Sequence, residues 1–353
     1  MNQHKEIYRV EQLPVFQNRM FYSMEEAINC VRGDVVLVQD IETGLIFNQA
    51  FQPELMRYDS DYQNETAVSE SFRKHLENVS KVIQSHFWDK TLIEVGCGKG
   101  YFLEHLQKLD FTITGLDPTY EGFNSAVIKE YFTPQSGLKA DGIILRHVLE
   151  HVQDPIQFLF NIREANSGGG KIYIEVPCFD WICNHCAWFD IYYEHVNYFR
   201  LSDFLRMFDV VYDMGYMFNN KFLYIVADLA TLKVPTKYSF NQFNFPENFL
   251  NKVEYYAAKL RIQKTINTIW GGASKGVIFA MFLERVGIKI DIVIDINPAK
   301  QGRYMAGTGI QINSFSQVVD IIPVGSDIFV MNSNYLNEIN DMVGHRINLI
   351  TVD

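Results

Sequence analysis

The run Leu92-Ile93-Glu94-Val95-Gly96-Cys97-Gly98-Lys99-Gly100-Tyr101-Phe102-Leu103 constrains this chain more than any other stretch. Apolar residues around one acid lead into glycines at alternate positions, and an amphipathic helix pattern follows. Such a run predicts a buried strand turning sharply into a helix, with glycines where the backbone must let a ligand close. The spacing does not fit the dinucleotide fingerprint, because G-x-G-x-x-G needs its third glycine where Tyr101 stands. Phe111-Thr112-Ile113-Thr114-Gly115-Leu116-Asp117 reads as the next strand and ends in an acid. In a nucleotide-binding βαβ unit, a carboxylate at that place accepts ribose hydroxyls.

The pattern E-x-G-x-G-x-G resembles the S-adenosylmethionine loop of class I methyltransferases. That ligand has no pyrophosphate, so the helix terminus need not cradle phosphate. The resemblance implies that Glu94, Gly96, Cys97, Gly98, Gly100, Asp117 and Pro118 bind S-adenosylmethionine. His147, near the end of a later strand, is expected beside the methionine part of the cofactor, or else simply to pack.

At 353 residues the chain is too long for one ordinary core, so two or three domains are expected. A formal charge of −11 disfavours a phosphate-backbone partner. No apolar run approaches the roughly 18 residues that span a bilayer, and the start lacks the apolar core of a signal peptide. The expectation is a cytoplasmic protein acting on a small molecule, with neither nucleic acid nor membrane as partner and an open oligomeric state. Five cysteines make no disulfide framework at this length. Cys183-Asn184-His185-Cys186, with Cys178 nearby, has a C-x-x-C spacing, but without a second ligand pair it reads as partly buried thiols.

The chain divides into three. Residues 1–70 form a small α+β unit, with short strands at Val35–Val38 and Leu45–Phe47 around the turn Glu42-Thr43-Gly44. A helix from about Ala67 to Phe87 leads into residues 71–232, the cofactor-binding domain. There, strands at Thr91–Val95, Thr112–Leu116, Gly142–Leu145 and Lys171–Val176 alternate with helices after Gly100, Pro118 and Pro155. That alternation predicts an α/β, doubly wound, Rossmann-like sheet with its ligand at the carboxyl ends of the strands. A linker from about Leu232 to Glu247 opens residues 233–353. This part repeats the strand–glycine–helix unit at Ile266–Gly276, followed by a strand at Ile290–Ile294 that closes on Asp295-Ile296-Asn297-Pro298. Its loop, Gly271-Gly272-Ala273-Ser274-Lys275-Gly276, fits neither the dinucleotide nor the P-loop pattern. It is a structural turn or holds part of a nucleotide-bearing substrate.

The order of these segments resembles the three-domain nucleotide-sugar C-methyltransferases of deoxysugar biosynthesis. Besides the glycine loop, the resemblance rests on His147-Val148-Leu149-Glu150-His151-Val152-Gln153-Asp154-Pro155, on Tyr192-Tyr193-Glu194-His195-Val196-Asn197-Tyr198-Phe199, and on Val293–Gly302. In that family the N-terminal unit commonly holds zinc through two cysteine pairs. Here Asp40-Ile41-Glu42-Thr43-Gly44 stands where the second pair belongs, and Cys30 stands alone, so no structural metal is expected.

Carbon methylation by an electrophilic methyl needs a carbanion or enolate, and a 4-keto sugar carries an acidic C–H beside its carbonyl. A histidine with an ordinary pKa of about 6.5 is a suitable base. The resemblance puts His195 in that role, with Glu194 and Tyr192 orienting it or bonding the sugar. His151 is expected where substrate and methyl donor meet. Tyr58, Tyr62 and Ser69 precede the core at a helix entrance that suits a cover over the cofactor, and Ser69 with Phe72 and Arg73 reads equally as an ordinary helix turn. The alternatives are an O- or N-methyltransferase on a sugar or other small metabolite, a silent scaffold that keeps the folds, and a nicotinamide-linked oxidoreductase. Tyr101 counts against the last.

Overall fold

A computed structural model describes residues 4–56, 61–62, 67–263 and 266–353. The strands are β1 (His4–Pro14), β2 (Arg32–Asp40), β3 (Ile46–Asn48), β4 (Thr91–Val95), β5 (Thr112–Leu116), β6 (Val127–Ile128), β7 (Gly142–Arg146) and β8 (Lys171–Pro177). They continue with β9 (Asn197–Tyr198), β10 (Val211–Met217), β11 (Phe222–Asp228), β12 (Thr268–Trp270), β13 (Ile292–Ile294), β14 (Ile312–Asn313), β15 (Asp327–Val330) and β16 (Asn348–Thr351).

The central sheet runs β10-β11-β8-β7-β4-β5-β6. Strands β8, β7, β4 and β5 are parallel to one another and almost entirely buried, as expected where helices cover both faces. The four central strands lie where the apolar runs put them. Glu94 on β4 pairs with Ile144 on β7, and Arg146 on β7 pairs with Glu175 on β8, so three charged residues gather at one end of the sheet.

Two features depart from the sequence reading. No helix follows Pro118; the chain turns and enters β6 directly. Side chains there give the backbone other partners: the Thr119 N–H donates to Asp117, the Asn124 N–H to the Tyr120 hydroxyl, and the Ala126 N–H to Asn124. Such local bonds compete with a helical turn. The sheet also carries the antiparallel hairpin β10–β11 at its edge. Exposed Tyr212, Met214 and Tyr216 alternate with half-buried neighbours on β10, so no polar–apolar rhythm marks it.

The N-terminal sheet runs β1-β2-β3-β9 and takes its last strand from the segment following His195, with Ile46 opposite Tyr198. The stretch around His195 is therefore tied into two units. The turn after β2, where no cysteine stands, is organised by Asp40, whose Oδ1 accepts from the N–H of Glu42 (2.8 Å) and the N–H and hydroxyl of Thr43 (2.6 and 3.0 Å). Arg200 donates to the Gly44 carbonyl at 2.9 Å and Arg206 to that of Thr43, both guanidinium groups being held by Asp203. Asp40→Ala should lower the unfolding free energy by about 1–2 kcal/mol, since it orphans backbone donors as loss of a helix cap does. An unchanged midpoint in urea would show that the turn holds without it.

The linker packs across this unit. The Gln39 side chain donates to the Asn241 carbonyl at 3.3 Å and accepts from the Phe243 N–H at 2.8 Å, and Phe243 and Phe245 lie against Phe179. The C-terminal sheet, β14-β13-β12-β15-β16, is parallel throughout. It repeats the central unit's glycine-loop lock: the Gly272 N–H donates to Asp295 Oδ2 at 2.9 Å, as the Gly98 N–H donates to Asp117 Oδ2 at 2.8 Å.

Candidate active site

The loop after β4 needs its glycines for two different reasons. Gly96 and Gly98 have φ of 73° and 55°, a region that penalises residues with a Cβ. At Gly96 a Cβ would also strike Val148 Cγ2 at 2.5 Å, whereas at Gly98 it would meet open space. The loop thus approaches the segment after β7 closely while its middle faces a cavity. Asp117 closes the loop from below: one carboxylate oxygen takes the Gly98 N–H and the other takes the N–H and hydroxyl of Thr119 (2.8 and 2.7 Å).

A buried charge network floors this cavity. Glu175 receives His75 Nε2 at 3.2 Å, Arg146 Nη2 at 3.1 Å, His147 Nε2 at 3.0 Å and the Tyr173 hydroxyl at 2.9 Å. Burial alone would raise the Glu175 carboxyl, yet Arg146, His75 and His147 hold it well below the usual range. His147 is also 3.3 Å from Glu150. Burial works against its charge, but bonds to Glu150 and Glu175 outweigh that and push its pKa up to about 9. Glu94 has the reverse problem: burial pushes its carboxyl up to about 7.

These shifts carry a pH signature. A histidine raised from about 6.5 to about 9 stabilises the fold fully below pH 6.5, and that stabilisation is lost as pH rises towards 9. His147→Asn, a residue that tolerates the φ of 51° there, should remove this falling limb. The wild-type-minus-variant difference in unfolding free energy should therefore shrink between pH 6.5 and 9. A constant difference would contradict the ion pairs.

His195 lies above the network, its ring centroid 4.2 Å from that of Tyr192 and 5.0 Å from that of His151. Burial, reinforced by His151, His147 and Lys275, holds its pKa well below the ordinary histidine range, so it is a neutral base at pH 7. Burial, with Asp190 and Glu194 nearby, keeps the Tyr192 phenol protonated. His151 Nδ1 sits 2.8 Å from the Glu194 backbone carbonyl, which can only accept, so Nδ1 donates its hydrogen there.

Two cavities meet at this point. One is lined by the glycine loop, Glu94, Arg146, His147 and Glu150. The other reaches the C-terminal loop, with Trp270, Ser274, Lys275, Lys300 and Tyr335 on its walls. Both include Asn18, Phe72, Tyr192, His195 and Phe222. In the second cavity Lys221 pairs with Asp353 and Lys275 with Asp190, and both ammonium groups lie over Trp181, at 5.2 and 5.4 Å. Burial, then Lys275, pushes the Lys221 pKa down to about 8. Ser274 is held at φ 41°, ψ −104°, a strained conformation. It is pinned by its N–H to the Gln17 carbonyl (3.2 Å) and its hydroxyl to Asn18 (2.9 Å).

Of the residues read from the sequence, Glu94, Gly96, Cys97, Gly98, His147, His151, Tyr192, Glu194 and His195 line one cavity. Gly100 caps the helix Tyr101–Gln107 against Tyr120, Asp117 acts through the loop, and Pro118 is exposed on the outer turn. Glu194 departs from the expectation that it orients His195. Its carboxylate accepts from the N–H groups of Gln17 (2.6 Å) and Asn18 (3.2 Å) and from the Tyr62 hydroxyl (2.5 Å), fastening the N-terminal unit to the site. Ser69 caps the helix Glu70–Phe87 and donates to Glu338 of the C-terminal unit at 2.6 Å. Tyr58 lies outside the described residues. Cys178, Cys183 and Cys186 are buried, and burial pushes the Cys178 thiol up to about 11. Arg146, Glu150 and Glu175 escaped the sequence reading, although a charge inside Ile143-Ile144-Leu145-Arg146 or Ile172-Tyr173-Ile174-Glu175-Val176 must be paired when its strand is buried.

Residues 67–210 match a family described as a methyltransferase domain. The chain is 28% identical over 102 residues to a tRNA U34 carboxymethyltransferase of Campylobacter fetus subsp. fetus, covering 25% of this chain and 36% of that protein. It is 23% identical over 129 residues to a protein of the same name from Campylobacter hominis, covering 32% and 44%. The chain therefore spans less than half the length of these curated relatives. Among solved structures it is similar to the N-methyltransferase NodS from Bradyrhizobium japonicum, at 13% identity and a TM-score of 0.32, covering 45% of this chain and 97% of that one.

Proposed function

We propose that this S-adenosylmethionine-dependent methyltransferase methylates carbon, beside the ketone of a nucleotide-linked 4-keto sugar. The observation that carries this reading is the neutral, buried His195 beside a protonated Tyr192, on the wall shared by the two cavities.

The glycine loop and Asp117 suit the adenosyl part of the cofactor: Gly98 opens onto the cavity, and Asp117 fixes the loop through the Gly98 N–H. Glu94, with a buried Oε2 that has no partner among the described residues, suits the cofactor's ammonium group. The cofactor supplies an electrophilic methyl group. His195 takes the proton from the carbon beside the ketone, and burial keeps that imidazole unprotonated and ready to accept it. The Tyr192 hydroxyl donates to the oxygen that gains charge as the enolate forms. His151, its ring 5.0 Å from that of His195 and anchored through Nδ1 to the Glu194 carbonyl, is the neighbour to which the proton can pass onward.

The second cavity suits the nucleotide portion, with Trp270 offering a stacking surface and with Lys221, Lys275 and Lys300 able to turn to an anionic linkage from their carboxylate partners Asp353, Asp190 and Asp295. A small anionic substrate suits this cavity better than the tRNA named for the Campylobacter relatives, because the chain's net charge of −11 opposes a nucleic-acid backbone. The test is the mass and position of the methyl group on product formed from defined 4-keto nucleotide sugars. A new C–CH3 beside the ketone is expected. A methyl on oxygen or nitrogen would contradict the carbon assignment.

A further inference from the structure

We propose that Glu150, His151 and His195 form a site for one divalent transition-metal ion, and that the ion switches the enzyme off by taking the lone pair His195 needs as a base. The switch rests on the reading of His195 given above; the metal site itself does not.

Two segments carry the three side chains. Glu150 and His151 lie in the short turn after β7, and His195 precedes β9. Bonds between the segments fix their spacing. The Val196 N–H donates to the Glu150 carbonyl at 2.7 Å, and the Asn197 side chain donates to the Leu149 carbonyl at 3.3 Å and to that of Val152. One ligand atom from each of Glu150, His151 and His195 then lies within 4.8 Å of the other two. Ligands held about 2.0–2.2 Å from one ion stand roughly 3.3 Å apart, so small side-chain rotations close the set. All three residues line the cavity that the glycine loop faces, so an ion there keeps positions open to water or substrate.

Each donor is available. Glu150 is 1% exposed; its Oε1 faces His147 Nδ1 at 3.3 Å, but its Oε2 is buried with no partner among the described residues. A carboxylate oxygen so placed is costly until a cation or a hydrogen-bond donor meets it. His151 donates from Nδ1 to the Glu194 carbonyl at 2.8 Å, the outer bond that typically orients a ligating imidazole, so Nε2 is the atom it offers to an ion. The His195 ring makes no hydrogen bond among the described residues and meets the rings of Tyr192 and His151. A neighbouring cluster shows the contrast. His75, His147 and Glu175 also bring ligand atoms within 4.8 Å, yet Arg146 and Tyr173 bond that carboxylate too and already supply its cation. Two imidazoles and one carboxylate suit zinc, cobalt or nickel better than magnesium or calcium, which prefer oxygen ligands.

The experiment titrates the untagged full chain with cobalt(II) and reads visible absorption. Wild type should bind one ion that zinc displaces. Glu150→Gln, His151→Gln and His195→Gln should each weaken cobalt by at least roughly a hundredfold, more than loss of an outer-shell partner costs, with near-ultraviolet circular dichroism unchanged. X-ray absorption of zinc-loaded wild type, which needs no variant, should show two imidazoles and no sulfur. A thiolate-to-cobalt band, sulfur around zinc, or a titration that any of the three variants leaves unchanged would overturn the site. Solvent deuterium exchange into a 4-keto nucleotide sugar, with S-adenosylhomocysteine bound, should fall in proportion to zinc occupancy and return on chelation. Full exchange at full occupancy would overturn the switch. Absence of exchange in metal-free wild type would remove the carbon-methylation reading and the switch with it, while the cobalt spectrum still decides the site.

Discussion

His195→Ala should leave S-adenosylhomocysteine binding near the wild-type value while turnover falls roughly a hundredfold to ten-thousandfold, the range in which a positioned general base contributes. The split between binding and chemistry follows from geometry. Among the described residues, no hydrogen bond joins the His195 ring to the loop, Asp117 or the charge network that suit the cofactor; its neighbours are the rings of Tyr192, His151 and Tyr198. Removing the imidazole should therefore cost the proton transfer and little else. Single-turnover kinetics alongside calorimetry would read both quantities. A variant that lost cofactor binding and turnover together would make His195 a packing residue.

Asp117→Ala should raise the S-adenosylhomocysteine dissociation constant by at least about a hundredfold. On the proposed reading Asp117 accepts two charge-assisted bonds from the ribose hydroxyls, each worth on the order of 1.5–3 kcal/mol, and the substitution removes them. The substitution also releases the Gly98 and Thr119 N–H groups that hold the loop in shape. Thr119→Ala separates the two effects. It removes one loop bond, at 2.7 Å, and keeps the carboxylate, so affinity should fall by less than about tenfold. Equal losses in the two variants would mean that Asp117 acts through the loop alone and not on the ribose.

What the sequence discloses here is what local chemistry determines. Apolar runs of strand length ending in glycine and acid mark β4 and β5, and in both nucleotide-like halves the acid bonds the loop's glycine N–H. The helix expected after Pro118 fails because Thr119, Tyr120 and Asn124 offer the backbone competing bonds, a detail below the resolution of hydrophobic periodicity. Non-local pairing is harder still to read. Nothing in Asn197-Tyr198 alone says that it completes a sheet with Ile46 and Phe47, and nothing in Glu194 says that its partners are Gln17, Asn18 and Tyr62. Arg146 and Glu175 were visible as charges within apolar strands. Their meaning depended on the β7–β8 register that sets one opposite the other.

The most direct test of the carbon-methylation account is solvent deuterium exchange into a 4-keto nucleotide sugar, with S-adenosylhomocysteine in place of the methyl donor. Proton removal by His195 requires no methyl transfer, so wild type should place deuterium at the carbon beside the ketone, and His195→Ala should abolish that exchange. Exchange at the full rate without His195 would move the base elsewhere, with His151 the first candidate. Methyl transfer by wild type to a substrate that shows no exchange at carbon would contradict the account outright.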